Sequence, residues 1–78
     1  MIMNLNEFVK KFAAEFEETP VEVFNPSTEY RSLDEWGSLT ALSIISMIDE
    51  EFDILLTGAD LRSVSTIEAL YELIQSKK

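Results

Sequence analysis

The residue types in this chain exclude most self-contained catalysis. There is no histidine and no cysteine, so the usual proton shuttle, a thiol nucleophile and the commonest metal ligands are missing. Gly37 and Gly58 are too far apart to form a phosphate-cradling loop. Acidic pairs such as Glu17 with Glu18 lie on predicted open helix surfaces, where nothing prepares them for acid or base work. The segment from Asp49 to Asp60 lacks the ligand pattern of a calcium loop. We therefore expect neither an enzyme nor a metal site.

After these exclusions, the side-chain group that could still do chemistry is a serine hydroxyl at the start of a helix. Ser38 follows Gly37 and opens an amphipathic segment that ends in three acids and Phe52. Serine is also among the best helix-capping residues, so one interpretation is that Ser38, or Gly37 before it, only caps this helix. From the local residues alone, both a capping role and a chemical role for Ser38 stay open.

The charge of the chain indicates which partners to expect. Fifteen acids against six bases give a net charge of −9, which repels phosphate backbones and anionic lipids and favours basic protein surfaces. We expect no nucleic-acid partner and no stable membrane insertion. Between Arg31 and Arg62 there is no base, and a basic partner should meet this segment first. Its acids are Asp34, Glu35, Asp49, Glu50, Glu51, Asp53 and Asp60.

The first helix and the loop after it are predicted from apolar spacing and from proline. The helix should run from about Asn4 to Glu18, opened by a capping box of Asn4 and Glu7 and ended by Thr19-Pro20. A long loop from Thr19 to Gly37 follows, with about one short helical turn expected inside it. Apolar side chains should pin it to the bundle: Val21, Val23, Phe24, Tyr30, Leu33 and Trp36.

The second helix should run from about Ser38 to Phe52 and have two unlike faces. On a helical wheel one arc is apolar and should be buried, and the other mixes leucine, serine and acid and should face solvent. The buried arc contains Ala41, Ile44, Ile45, Ile48 and Phe52. The solvent arc contains Leu39, Leu42, Ser43, Ser46, Asp49 and Glu50. Exposed leucines beside serine indicate a contact surface.

A short helix from Thr57 to about Arg62 and a last helix opened by a capping box of Ser65 and Glu68 complete the prediction. No segment alternates as a strand would. The expected fold is an all-α four-helix bundle, with three long helices and one short helix, forming a single domain over residues 1–78. We expect the protein in the cytoplasm, because no long apolar run or basic leader is present. We also expect a monomer.

The segment from Asp34 to Phe52, D-E-W-G-S-L-T-A-L-S-I-I-S-M-I-D-E-E-F, resembles the acyl carrier protein family. Members of that family have an Asp-Ser-Leu step at the start of the second helix, and the spacing from Ser38 to Phe52 matches their pattern without a gap. The resemblance extends over nearly the whole chain. The tryptophan just before the step is similar to a subgroup of free-standing bacterial carriers.

The resemblance implies an acyl-carrier-like bundle that holds 4′-phosphopantetheine covalently on Ser38. A phosphopantetheinyl transferase would attach this arm from coenzyme A. Acyl-loading ligases, acyltransferases and synthases with basic patches would then dock on the second helix. The implied contact residues are Gly37, Leu39, Leu42, Ser43, Asp49 and Glu50. A phosphodiester would suit a helix N-terminus, which has a partial positive charge and free amides.

Departures from the family pattern narrow the expected role. Gly37 stands where the family has aspartate, Thr40 and Ser43 replace frequent acids, Gly58 replaces another acid, and Arg62 reverses a charge. These changes favour a specialised carrier with its own enzymes. The alternative function is an unmodified helical adaptor of the same fold, which Gly37 favours. An acidic decoy of nucleic acid is a third hypothesis, supported by charge alone.

Overall fold

Residues 3–78, which the computed structural model describes, form a helical bundle without a β-strand. This confirms the predicted all-α fold of three long helices and one short helix, with a long loop between the first two. The helices are α1 (Leu5–Ala13), α2 (Ser38–Phe52), α3 (Gly58–Ser63) and α4 (Ile67–Ser76).

The ends of α2 and α3 follow local signals. α2 has the predicted bounds. The Asp53 amide closes its last turn by donating to the Asp49 carbonyl at 2.9 Å, and the left-handed backbone of Asp53 (φ 58°) then ends the helix. α3 begins one residue later than predicted, after Thr57. The Thr57 hydroxyl accepts from the Asp60 amide at 3.2 Å, and the Asp60 carboxylate accepts from the Thr57 amide at 3.0 Å. This reciprocal cap stabilises a helix of only six residues.

α1 begins as predicted but ends earlier. The capping box is confirmed, since Asn4 Oδ1 accepts from the Glu7 amide at 2.8 Å and Glu7 Oε1 accepts from the Asn4 amide at 3.2 Å. The predicted end near Glu18 is wrong, because α1 stops at Ala13. The Phe16 amide donates to Ala13, three residues back, and the next amides donate to a side chain of the long loop. A tertiary contact thus replaces the last predicted turn.

The predicted capping box of α4 is also wrong. Thr66, and not Ser65, is the N-cap, and its hydroxyl accepts from the Ala69 amide at 3.1 Å. A box based on Ser65 would need the Glu68 amide, but that amide donates to the Pro26 carbonyl at 2.9 Å. The Glu68 amide is therefore bound by a backbone carbonyl of the long loop, and not by the Ser65 side chain that the sequence pattern predicts.

Aromatic side chains fill the centre of the bundle. Phe12 is fully buried, and its ring lies 5.4 Å from that of Tyr30 and 5.6 Å from that of Phe16, measured between centroids. Tyr30 carries the long loop into the core, where its hydroxyl donates to the Leu61 carbonyl of α3 at 2.6 Å. The loop is thereby joined to both α1 and α3.

Four of the six predicted loop anchors pack against the core, namely Phe24, Tyr30, Leu33 and Trp36. The prediction is wrong for Val21 and Val23, which are exposed. These valines belong to a 3-10 turn, Val21–Val23, which has no buried residue. A second 3-10 turn covers Tyr30–Ser32, so the loop contains two short turns where one was expected.

The buried face of α2 is rotated slightly from the predicted arc. Ile44 and Ile48 are fully buried as expected, but Met47, assigned to neither arc, is buried too. Met47 lies beside Lys11 and Ala14, where α1 and its C-terminal turn approach α2. The other predicted core residues of α2 are half-buried and pack against the core: Ala41, Ile45 and Phe52.

Candidate functional site

Ser38 is the first residue of α2, and its side chain is exposed. Gly37 occupies the N-cap position, and no side chain caps this helix. Within residues 3–78 the Ser38 hydroxyl has no hydrogen-bond partner of the chain's own. Of the two capping interpretations, the one that assigns the cap to Gly37 is confirmed and the one that assigns it to Ser38 is wrong. The Ser38 oxygen is accessible for chemistry.

Contacts of residues before and after Ser38 fix the backbone at this point, although the serine itself is exposed. The Trp36 ring lies 5.1 Å from the Tyr30 ring, and the Trp36 amide donates to the Leu33 carbonyl at 3.0 Å. Within the first turn of α2, the Thr40 hydroxyl donates to the Glu35 carbonyl at 2.9 Å. The hydroxyl of Ser38 is thus presented from a fixed backbone.

Glu35 fixes this segment to the end of the α1 region. Its carboxylate accepts from the amides of Glu17 at 2.8 Å, Glu18 at 3.1 Å and Thr19 at 2.9 Å. It also accepts from the Thr19 hydroxyl at 2.7 Å. The Thr19 hydroxyl bond, together with the three amide bonds, holds the pKa of Glu35 below its ordinary value. The Glu35 carboxylate is therefore engaged by groups of the fold, although its side chain is only half-buried. That a basic partner meets the acidic segment between Arg31 and Arg62 first stays a prediction.

The solvent face of α2 exposes apolar surface close to Ser38. Leu39 is 82% exposed and Leu42 is 58% exposed. Both line an open groove between α1 and α2, together with Ser43, which is half-buried, and Glu50, which is exposed. Four of the six predicted contact residues therefore share one surface.

The two other predicted contact residues lie elsewhere. Asp49 is exposed on α2 but does not line the α1–α2 groove. Gly37 lines a different cleft, between the start of α2 and α3, together with Ser38, Arg31 and Arg62. Its backbone is extended (φ −176°), and a Cβ added to it would meet nothing within 4 Å. Glycine is therefore not required sterically at this position.

A profile of the phosphopantetheine attachment site family matches residues 7–74. This range includes α2, the Ser38 segment and nearly all of α4. The chain belongs to this family. It is a non-catalytic, acyl-carrier-like protein whose cofactor is covalently attached 4′-phosphopantetheine. Comparison with curated proteins and with solved structures gave no significant match.

The carrier presents a site that fits this cofactor. The Ser38 oxygen is exposed, the space around Gly37 is open, and the N-terminus of α2 has no competing side-chain cap. When bound, 4′-phosphopantetheine supplies a thiol that carries acyl groups as thioesters.

Neither a metal-binding cluster nor a membrane-spanning helix is found within residues 3–78. No group of three or more acidic side chains there is arranged to hold a metal ion. None of the helices in that range is both long enough and apolar enough to cross a membrane.

Proposed function

We propose that Ser38 is the attachment point of 4′-phosphopantetheine and that the carrier shuttles acyl intermediates between partner enzymes. The proposal depends chiefly on one observation: the exposed hydroxyl of Ser38 has no partner of the chain's own and opens α2 in a chain of this family. Departures from the common pattern favour a specialised fatty-acid, polyketide or related pathway. Assignment to the cytoplasm, a monomeric state and a single domain over residues 1–78 stay predictions.

No residue of the carrier has to activate the Ser38 hydroxyl. A chain without histidine and cysteine offers no conventional base for this task. A separate phosphopantetheinyl transferase would supply the base that accepts the Ser38 proton. Ser38 Oγ would bond to the phosphorus that bears the pantetheine, and the pyrophosphate bond of coenzyme A would break to release 3′,5′-adenosine bisphosphate. The role of the carrier is to present the oxygen at a helix N-terminus, whose free amides and partial positive charge favour the phosphodiester that forms.

The attachment proposal is tested on the unaltered chain. Incubated with a purified transferase, magnesium and coenzyme A, the protein should gain the mass of one arm, and fragmentation should place that mass on the peptide with Ser38. Protein recovered from its own cells should carry the same group. If both samples stay bare while a known carrier is modified alongside, the unmodified adaptor is the better description.

The exposed leucines and acids of α2 fit partner enzymes with basic patches. Leu39 and Leu42 would provide apolar contact, and Ser43 and Glu50 adjoin them in the groove. Asp49 and Glu50 would attract basic side chains over a longer range, and Gly37 would lie against the transferase next to Ser38. Long-range attraction of this kind speeds encounter and weakens with salt, which suits a carrier that must also dissociate.

Replacing Leu39 with serine should slow attachment of the arm, on the order of fivefold to tenfold at a low concentration of the carrier. The reason is that an apolar contact at the centre of the surface that docks the transferase is lost. The rate is measured by the mass of the product over time. Leu55→Ser is the matched control, since Leu55 is 74% exposed but does not line the α1–α2 groove. Equal slowing of both variants would remove the assignment of the docking face.

A further inference from the structure

A cleft beside Ser38 contains the only two arginines of the chain. The cleft lies between the start of α2 and α3. Gly37 and Ser38 line it on the α2 side, Leu61 and Arg62 line it on the α3 side, and Arg31 reaches it from the long loop. A protein with a net charge of −9 therefore has both of its arginines in the same cleft as Ser38.

Neither guanidinium is neutralised by a carboxylate of the described residues. The ion pairs found within residues 3–78 join Lys11 to Glu51 and Lys77 to Asp60, each at 3.7 Å. Fifteen acids are available in the sequence, yet none pairs with Arg31 or Arg62 across residues 3–78. The positive charge at this cleft is thus available to a ligand.

Both guanidinium groups keep N–H donors for a ligand. Arg31 Nη2 donates to the Val64 carbonyl at 3.0 Å, just after α3 ends, and this bond uses only part of its five N–H groups. Arg62 lies over Gly58, so that a Cβ placed on Gly58 would be 3.2 Å from Arg62 Nη1. No hydrogen bond from the Arg62 side chain is found within residues 3–78, so its donors are also available.

We propose that Arg31 and Arg62 bind the phosphodiester of the arm on Ser38, an inference that rests on the proposed function. The phosphorus is bonded directly to Ser38 Oγ, so its anionic oxygens lie at the edge of the cleft that both arginines line. Guanidinium groups are suited to phosphate oxygens by charge and by their planar donors. This contact would hold the root of the arm toward α3 and offset the repulsion between the phosphodiester and the acids of the chain.

The inference predicts differences between the apo and holo forms of the intact protein. On attachment of the arm, the side-chain Nε–Hε NMR signals of Arg31 and Arg62 should shift, and salt of about 1 M should reverse the shift by screening. Attachment should also raise the melting temperature by about 1–5 °C, as expected for exposed charge pairs in a small domain. In the double variant Arg31→Gln, Arg62→Gln this rise should be lost.

Lys10→Gln provides the matched control, because it removes one positive charge from an exposed position outside the cleft. This variant should keep both the arginine shifts and the rise in melting temperature. Intact mass reports separately whether the arm is attached. A fully modified protein with unchanged arginine signals overturns the inference alone, whereas an absent arm overturns the proposed function with it. Arginine shifts seen only when the thiol bears a carboxylated acyl group would also overturn it, because the cargo would then be the ligand.

Discussion

We expect the Ser38→Ala substitution to abolish attachment of 4′-phosphopantetheine, so that the variant gains no mass even after long incubation with a transferase. The reason is chemical: the substitution removes the oxygen that must bond to phosphorus. Ser38 is exposed, and its hydroxyl makes no bond within the described fold, so stability should change by less than about 0.5 kcal/mol. Intact mass and a thermal melt of the same sample separate loss of the site from loss of the fold.

The chain offers a matched control for this variant on the same helix. Ser46→Ala removes an exposed hydroxyl further along α2, at a position that is not among the six predicted contact residues. This variant should accept one arm at a rate close to that of the native chain. Persistent modification of Ser38→Ala, or loss of modification in Ser46→Ala with Ser38 intact, would place the attachment point elsewhere.

The parts of the fold that could be predicted are those that local signals specify. α2 begins and ends where the sequence indicates, because its start follows Gly37 and its apolar arc keeps helical spacing up to Phe52. The start of α1 is likewise contained in four neighbouring residues, Asn4 to Glu7. Such signals need no knowledge of the rest of the molecule.

The errors occur where distant segments compete for backbone groups. α1 stops at Ala13 while amides a few residues later donate to Glu35, and α4 is capped differently because the Glu68 amide donates to Pro26. In both places a partner many residues away replaces the bond that local pattern predicts. No spacing rule identifies Glu35, since an acid in a loop usually faces water.

In the candidate site, too, features that local sequence specifies could be predicted, and features that depend on packing could not. Exposure of Leu39 and Leu42 follows from the helical wheel and is confirmed. The wheel also groups Asp49 with them, but it cannot tell which residues share a groove with α1, and Asp49 lies outside that groove. Arg62 was identified as a reversed charge, yet its position beside Ser38 depends on how α3 packs against α2. The sequence therefore predicts which side chains of α2 are exposed better than it predicts which residues lie around Ser38.

Glu35→Ala should lower the melting temperature of the carrier by about 5–10 °C at neutral pH, because four hydrogen bonds to one carboxylate are lost together. Three of their donors are backbone amides at residues 17–19, and these would have to find water instead. Glu22→Ala is the control, since Glu22 is an exposed acid of the same loop. A melt followed by circular dichroism compares the two variants with the native chain.

The pH dependence identifies the charge of Glu35 as the cause. The Thr19 hydroxyl and the amides at 17–19 hold the pKa of Glu35 below 4.5, so the ionised form favours the folded state. Its stabilisation is complete above pH 4.5 and is lost as the pH falls through the lowered pKa. The melting temperatures of native chain and Glu35→Ala should therefore converge in acid, whereas Glu22→Ala should follow the native chain throughout. A constant difference between native chain and Glu35→Ala at every pH would show that the packing of this side chain, and not its charge, holds the segment before Ser38.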